Sequence, residues 1–383
     1  MAASLCLVAG KATDSVTYGF LPAAQRLGLD VVLLTDRPAA HAGADRTVVE
    51  CDVTDFREII ACAAAPAAVF SNSDFLQAPA ALAAAYSGLP AKDWRAATRA
   101  KNKSLMRGHL AGLDPVFAAD PDGNGVPDGA PYPLVLKPRE GVASEDVFLV
   151  RDARELAARR DEIRARRDDP LIAEEYLPGA LHTLETLGDG SELRVLGSFR
   201  TRMSPPPYFI EERLEWAPPP PETGQVLAQL ERLGVGFGAC HTEFVVHEGR
   251  ARIIEVNYRL IGDHCDFLMA DLLGVPLFEQ ILRVHLGERL DAERPRPRSR
   301  RHAVAEAVIA DRAGTLTGAP GPMEVTDGAV RVAYRPQRAV GDTFPLTRTN
   351  RDYLGTIRAI GPDADGIEAA IARFRAAHSW TIA

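Results

Sequence analysis

The chain has 383 residues, 46% hydrophobic and 25% charged, a composition ordinary for a globular enzyme of two or three domains. Its formal net charge of −8 argues against nonspecific nucleic-acid binding, and no apolar stretch approaches the length of a membrane span. The start, MAASLCLVAGKATDS, lacks a basic leader. The five cysteines are scattered without CxxC spacing, as expected for reduced thiols in a cytoplasmic protein rather than a zinc site or a thiol nucleophile.

In chain order, SLCLVA (4–9) reads as a buried strand, a helix follows at 18–27 and ends at Gly28, and VVLLTD (31–36) is a second strand. TVVECDV (47–53), a helix at 56–65, AAVFSNSD (67–74) and an alanine-rich helix at 78–86 continue the alternation of half a doubly wound sheet. Gly10-Lys11-Ala12 does not make a GxGxxG fingerprint, which argues against a dinucleotide there. Ser71, Asn72, Ser73 and Asp74 follow a strand's carboxyl end and read equally as helix caps or substrate contacts. Residues 94–110 (WRAATRAKNKSLMRGHL) read as one basic helix with Lys103 and Arg107 on a shared face; taken alone, that face is solvated.

Residues 118–131 are turn-rich. Asp120, Asp122, Asn124 and Gly125 match four positions of a calcium loop, but its bidentate glutamate is replaced by Pro131, which argues against calcium. YPLVLKPREGVASEDVFLV (132–150) gives a strand ending in Lys137, a loop carrying Gly141 and Ser144, and another strand. Such a loop can fold over phosphates and turn backbone N–H groups toward anionic oxygens; it is not a Walker loop, since no GKS/T follows. A charged helix at 152–167 precedes LIAEEYLPG (171–179), a strand whose end after Glu174 can offer main-chain groups to a purine edge.

Residues 180–202 give two strands about Gly188-Asp189-Gly190, carrying His182, Glu185, Arg200 and Arg202. Residues 204–221 are proline-rich and expected to be an irregular, substrate-covering loop. GVGFGAC (234–240) follows a helix at 225–233, so its glycines read as a helix C-cap and tight turn. Helices are expected at 267–273 and 277–286, a charged linker at 288–301, and a small α+β cap from 302, ending in a helix at 366–377, in which no chemical motif is found.

The chemistry concentrates in ACHTEFVVHEGRARIIEVNYRLIGDH (239–264), which reads as a hairpin. Glu255 and Asn257 are two apart and share a strand face. A two-residue turn would set Glu243 opposite Ile254, facing away. A three-residue loop at Glu248-Gly249-Arg250, the simplest solution, or a bulge would set Glu243 opposite Glu255. Two carboxylates and an amide oxygen would then form a mount for Mg²⁺, with Arg259 beyond as a fixed cation.

Together, Lys103, Lys137, the small-residue loop, EEYL and the Glu…Glu-x-Asn-x-Arg hairpin resemble the ATP-grasp superfamily, and the hairpin with RLIGDH is similar to amino-acid ligases of the carboxylate–amine class. The resemblance implies an α/β and α+β architecture: a Rossmann-like domain (1–94), an ATP-grasp domain (95–290, with a small lobe about 110–178 and a larger one about 179–290) and a C-terminal cap (291–383). It implies ATP and Mg²⁺, with Mn²⁺ as a substitute. Lys103 and Lys137 would hold phosphates under the loop containing Gly141 and Ser144. Glu174, Glu175, Tyr176 and Leu177 would form the adenine hinge, with His182 near the ribose. Glu243, Glu255 and Asn257 would hold the metal, and Arg259 and Lys137 would act on the transferred phosphate. Arg200, Arg202, Asp263 and His264 are expected substrate contacts. The activity implied is ATP-dependent joining of a carboxylate to an amine, with release of ADP, as in siderophore-type or other secondary metabolism, by a protein that binds neither nucleic acid nor membrane and is compatible with a homodimer. A biotin-carboxylase-like or purine-pathway carboxylating enzyme and a non-catalytic nucleotide-binding regulator are the alternatives.

Overall fold

The structure, a computed structural model, describes residues 3–41, 46–291 and 301–383; positions 292–300 of the expected charged linker lie outside the described residues. The N-terminal part alternates strand and helix: β1 (Ser4–Val8), β2 (Asp30–Thr35), β3 (Thr47–Glu50) and β4 (Ala68–Phe70), with α1 (Leu21–Arg26), α2 (Phe56–Cys62) and α3 (Gln77–Tyr86). The strands pair in parallel in the order β3-β2-β1-β4, as their uninterrupted apolar runs anticipate for a sheet covered on both faces. Gly19, on the π-helical turn Ser15–Phe20 that leads into α1, lets the backbone press against Phe278: a Cβ there would stand 2.3 Å from the ring.

The basic segment after α3 is two helices, α4 (Trp94–Lys101) and α5 (Lys103–Leu110). Asn102 interrupts them: its backbone is extended, and its side chain accepts from Leu105 N (3.2 Å) as the N-cap of α5, the role short polar side chains prefer. A small four-stranded sheet follows, built from β5 (Ala118–Ala119), β6 (Leu134–Pro138), β7 (Phe148–Val150) and β8 (Leu171–Glu175) in the order β5-β8-β6-β7, with α6 (Ala153–Arg164) against it. In the turn-rich segment, Asp120 pairs with Arg139 and Asp122 with Arg164, so these acids serve as ion-pair partners.

The large sheet begins with β9 (Ala180–Asp189), β10 (Leu193–Met203), β11 (Glu211–Ala217), β12 (Phe237–His247) and β13 (Arg250–Asn257). Strand β11 corrects the expectation of an irregular 204–221: between its proline clusters, EERLEWA pairs with β10 and packs the half-buried Leu214 and Trp216 against the core. Helix α7 (Thr223–Leu233) ends at Gly234 in the left-handed region (φ 89°), as read from the sequence. Helices α8 (Cys265–Leu273) and α9 (Leu277–His285) join the sheet to the N-terminal part through a core that includes Phe20, Phe70, Leu268 and Phe278.

The C-terminal part contains β14 (His302–Ile309), β15 (Gly314–Gly318), β16 (Met323–Asp327), β17 (Val330–Pro336), β18 (Thr343–Phe344), β19 (Tyr353–Gly361), α10 (Ala364–Ala377) and β20 (Thr381–Ile382). Among the described residues, one nine-stranded sheet runs β13-β12-β9-β10-β11-β14-β19-β17-β16. It passes without interruption from the hairpin into the expected cap, because β11 pairs antiparallel with β14.

Candidate functional site

Strands β9, β12 and β13 lie side by side and form the floor of the site. His241 is opposite both Glu185 and Asn257, and Glu243 is opposite both Thr183 and Glu255. Residues directly opposite one another share a face, so Glu185, His241, Glu243, Glu255 and Asn257 make one polar array. The turn is not the three-residue loop expected from parity. It has two residues, Glu248 (φ 49°) and Gly249 (φ 74°), both left-handed, as a type I′ hairpin turn requires. A bulge restores the parity: Ile253 is opposite Phe244 and Glu255 opposite Glu243, which leaves Ile254 as the extra residue.

Asn257 Nδ2 donates to Glu243 Oε1 (3.4 Å), and His241 Nε2 is 3.4 Å from the same oxygen. His241 Nδ1 is 2.7 Å from Glu185 Oε1. Burial alone would discharge the imidazole, but Glu185 and then Glu243 outweigh it and raise it to about 10. Glu255 pairs with Lys103 Nζ at 3.0 Å, and that amine is 3.5 Å from Gly141 O. Among the described residues no group of three or more His, Cys, Asp or Glu side chains could hold a metal. The array offers a different donor set. Asn257 uses its Nδ2 on Glu243 and keeps Oδ1, while Glu243 uses Oε1 and keeps Oε2. With Glu255 these are hard oxygens in a small number, which fits Mg²⁺ completed by phosphate and water, and Mn²⁺ equally.

A cavity of about 950 Å³ opens above the array. Its walls come from the N-terminal part (Asp14, Asn72, Asp74), the 141–147 loop (Val142, Ala143, Ser144), the 261–265 segment with Asp263 and His264, Glu211 of β11, and the cap (Arg338, Asn350, Arg351, Tyr353). The guanidinium of Arg259, the cation expected beyond the hairpin, is bound two-pronged by Asp74 (2.9 and 3.0 Å). Burial opposes both charges, but each holds the other ionised, Arg259 above and Asp74 below its ordinary value. Asn72 accepts from Leu260 N at 3.0 Å. Neither Asn72 nor Asp74 caps a helix; both dock the N-terminal part onto the end of the hairpin. His264, in the left-handed region like Asp263, pairs with Asp14 at 2.8 Å. Burial and then the charge of Glu243 push Glu211 up to about 8.

Lys103 and Arg107 are buried rather than solvated. Arg107 and Lys137 hold Glu174 between them, Arg107 at 2.7 Å. Burial raises the Glu174 carboxyl, yet the two cations bring it down to about 2. The side chain at the expected hinge is therefore an internal counter-ion to Lys137. Glu175 pairs with Arg252 (2.7 Å). The N–H groups of Glu175 and Tyr176 are bonded to Phe117 O and Pro133 O (3.0 Å each), and Leu177, buried at 8% exposure, follows them.

Arg200 and Arg202 do not reach the cavity, which corrects their expected substrate contact. Arg200 is opposite His182, and His182 stacks on Phe244 (5.7 Å) on the face of the sheet away from Glu185. Arg202 is exposed and faces Glu212 at 3.4 Å. His182 shares that far face.

The 141–147 loop holds three non-glycine residues in the left-handed region, Ala143, Ser144 and Asp146, a strain sustained only by surrounding contacts. Asn350 N donates to Ala143 O (3.1 Å), Arg351 pairs with Glu145 (2.9 Å), and Asp146 pairs with Arg166 and Arg167. The cap thus reaches the loop and the cavity, although no motif in its sequence announces this. His241 is two residues from Glu243, and parity alone places it on the same face; Glu185, carried on β9, joins them only through the pairing of β9 with β12.

No protein-family model matches the chain. Its fold, a Rossmann-like sheet, a small antiparallel lobe over a large one and a cap, is the ATP-grasp fold. Over its whole length the chain is similar to the L-amino acid ligase from Bacillus licheniformis, at 20% identity, TM-score 0.80 and 99% of that chain covered. It is also similar to the biotin carboxylase domain of 2-oxoglutarate carboxylase from Hydrogenobacter thermophilus, solved with MgADP, ADP and bicarbonate (17% identity, TM-score 0.72, 99% of this chain and 90% of that one). Among curated proteins it is 31% identical over 271 residues to the uncharacterized protein y4rH of Sinorhizobium fredii, covering 65% of this chain. The chain spans 53% of that relative's length. No described helix is long and apolar enough to cross a membrane.

Proposed function

We propose that this chain is an ATP-dependent ligase that converts a carboxylate to an acyl phosphate and joins it to an amine, an amino acid being one or both partners, with release of ADP and phosphate. The observation that carries this reading is the array of Glu243, Glu255 and Asn257 on one sheet face, with Lys103 and Arg259 at its margins, on the floor of a cavity large enough for two small substrates. On this reading residues 1–94, 95–290 and 291–383 are the three functional units.

Bound Mg²⁺, held by Glu243, Glu255 and Asn257, supplies charge neutralisation for phosphoryl transfer. Lys137 and Lys103 bind the nucleotide's phosphates, each exchanging part of its pairing with Glu174 or Glu255 for phosphate oxygens. Leu177 and the hinge main chain receive the adenine. Arg259, fixed in direction by Asp74, faces charge that develops on the transferred group. The 141–147 loop covers the phosphates, and with the cap above it keeps water from the acyl phosphate. No side chain has to act as a nucleophile.

The test is a coupled ADP-release screen over carboxylates and amines, with product mass measured. Amide formation with ADP and phosphate is expected; AMP and pyrophosphate would sink the reading. A carboxylating enzyme is the second reading, supported by the likeness to a biotin carboxylase domain. Strict dependence of ADP release on bicarbonate would favour it. An idle nucleotide-binding regulator would release no ADP with any substrate pool.

A further inference from the structure

The reading above leaves a buried pair without a task. Glu185 is 1% and His241 6% exposed, neither is a metal donor in that reading, and Glu185 Oε2 has no hydrogen-bond partner among the described residues. Burying a carboxylate and an imidazole in contact is costly, and well-packed apolar residues of similar volume often serve stability as well or better. The pair therefore calls for a use other than stability.

The register supplies one. Glu185, His241 and Asn257 form one row across β9, β12 and β13, and Glu243 and Glu255 stand in the next row on the same face. Nδ1 of His241 donates to Glu185 Oε1 at 2.7 Å, which fixes the ring's rotation and turns Nε2 along the strand toward Glu243. Nε2 then meets Oε1 of Glu243 at 3.4 Å, the same oxygen that Asn257 Nδ2 addresses at 3.4 Å. Nε2 of His241 and Nδ2 of Asn257 both lie at one oxygen of Glu243, so the other oxygen is the one left to face the cavity. Carboxylates that ligate metals are commonly oriented by such partners, whose loss costs roughly 10–100-fold in metal affinity.

We propose that Glu185 and His241 are positioning residues: Glu185 orients the His241 ring, and His241, with Asn257, pins one oxygen of Glu243 so that its second oxygen is presented to a divalent cation. This rests on the metal reading of Glu243, and its test separates the two. The full chain is titrated with Mn²⁺ in the presence of ADP, free Mn²⁺ being read by electron paramagnetic resonance, in wild type, Glu243→Gln, Glu185→Leu, His241→Ala and His241→Gln. Glu185→Leu, which cannot accept from the ring, and His241→Ala are expected to weaken Mn²⁺ binding roughly 10–100-fold. His241→Gln, whose amide can still donate to Glu243, is expected to regain most of that loss. Glu185→Leu changes little volume and keeps the test usable should the alanine variant not fold.

If Glu243→Gln weakens Mn²⁺ binding while folded Glu185→Leu binds it as wild type does, and His241→Ala where folded does too, the positioning role is overturned and the metal site stands. If Glu243→Gln itself binds Mn²⁺ like wild type, the metal reading fails first and the positioning role with it. A lower turnover at saturating Mn²⁺ with unchanged Mn²⁺ affinity would place His241 at the substrate instead, and would also overturn the proposal.

Discussion

Glu174 shows how little a residue type discloses by itself. From the sequence it is one of two acids at a strand end; in the fold it is the buried counter-ion of both Lys137 and Arg107. Removing one cation should be costly in different ways. Lys137→Ala, which withdraws the charge aimed at the phosphates, should lower turnover on the order of a hundredfold, in addition to the stability lost when Glu174 keeps only Arg107 as a partner. Arg107→Met should instead act on stability, costing about 3 kcal/mol because a buried carboxylate loses half its compensation; chemical denaturation checks it. Since the Glu174 carboxyl is depressed to about 2 from its ordinary value of 4.5, its stabilisation is present above pH 4.5 and is lost as pH falls toward 2. Glu211 has the opposite sign. Raised to about 8, it favours the folded state most below pH 4.5, an advantage lost as pH rises through 8. Glu211→Gln should therefore flatten the fall in melting temperature between pH 6 and 9, and an unchanged slope would count against its burial beside Glu243.

At the scale of elements, the hairpin was legible as a hairpin, and its polar positions were legible as a set, because strand alternation is a local rule. The means of keeping parity was not. Glu248-Gly249 suits a two-residue turn and Ile254 is a plain apolar residue, so nothing local marks the bulge; it exists because both rows must face the cavity. Deleting Ile254 removes the extra residue and leaves Glu255 opposite Glu243 and Asn257 opposite His241 in a regular ladder. The expected result is a folded protein, by circular dichroism, that keeps nucleotide-dependent Mn²⁺ binding; lost binding would mean that the bulge itself, and not the register it leaves, sets the array. The single basic helix failed for a related reason. Helical periodicity runs smoothly through Asn102, and only the docking of Lys103 N onto Arg139 O shows why the chain breaks there. Strand β11 was hidden by prolines on both sides, although its own seven residues contain none.

For the whole molecule, the N-terminal alternation and the order of lysines, loop and hairpin were readable in the chain, since each is carried by neighbouring residues. The cavity's roof was not: Asn350 and Arg351 meet the 141–147 loop across some two hundred residues, and no local pattern encodes such a meeting. Arg213 of β11 shows how firmly the cap is tied in, with a buried guanidinium that Glu306 and Glu368 engage from the C-terminal part. A chain stopped at residue 290 would leave β11 as an open edge and Arg213 short of two partners, so it should aggregate by light scattering; a soluble monomer that still binds ADP would contradict this. The pairing of β11 with β14 also bears on how such chains can be recombined. Exchange at the junction after residue 290 would have to bring a β14 whose register and acids match the recipient's β11. The cap is therefore inherited with the floor beneath it, and crossovers that preserve function should fall elsewhere than at this junction.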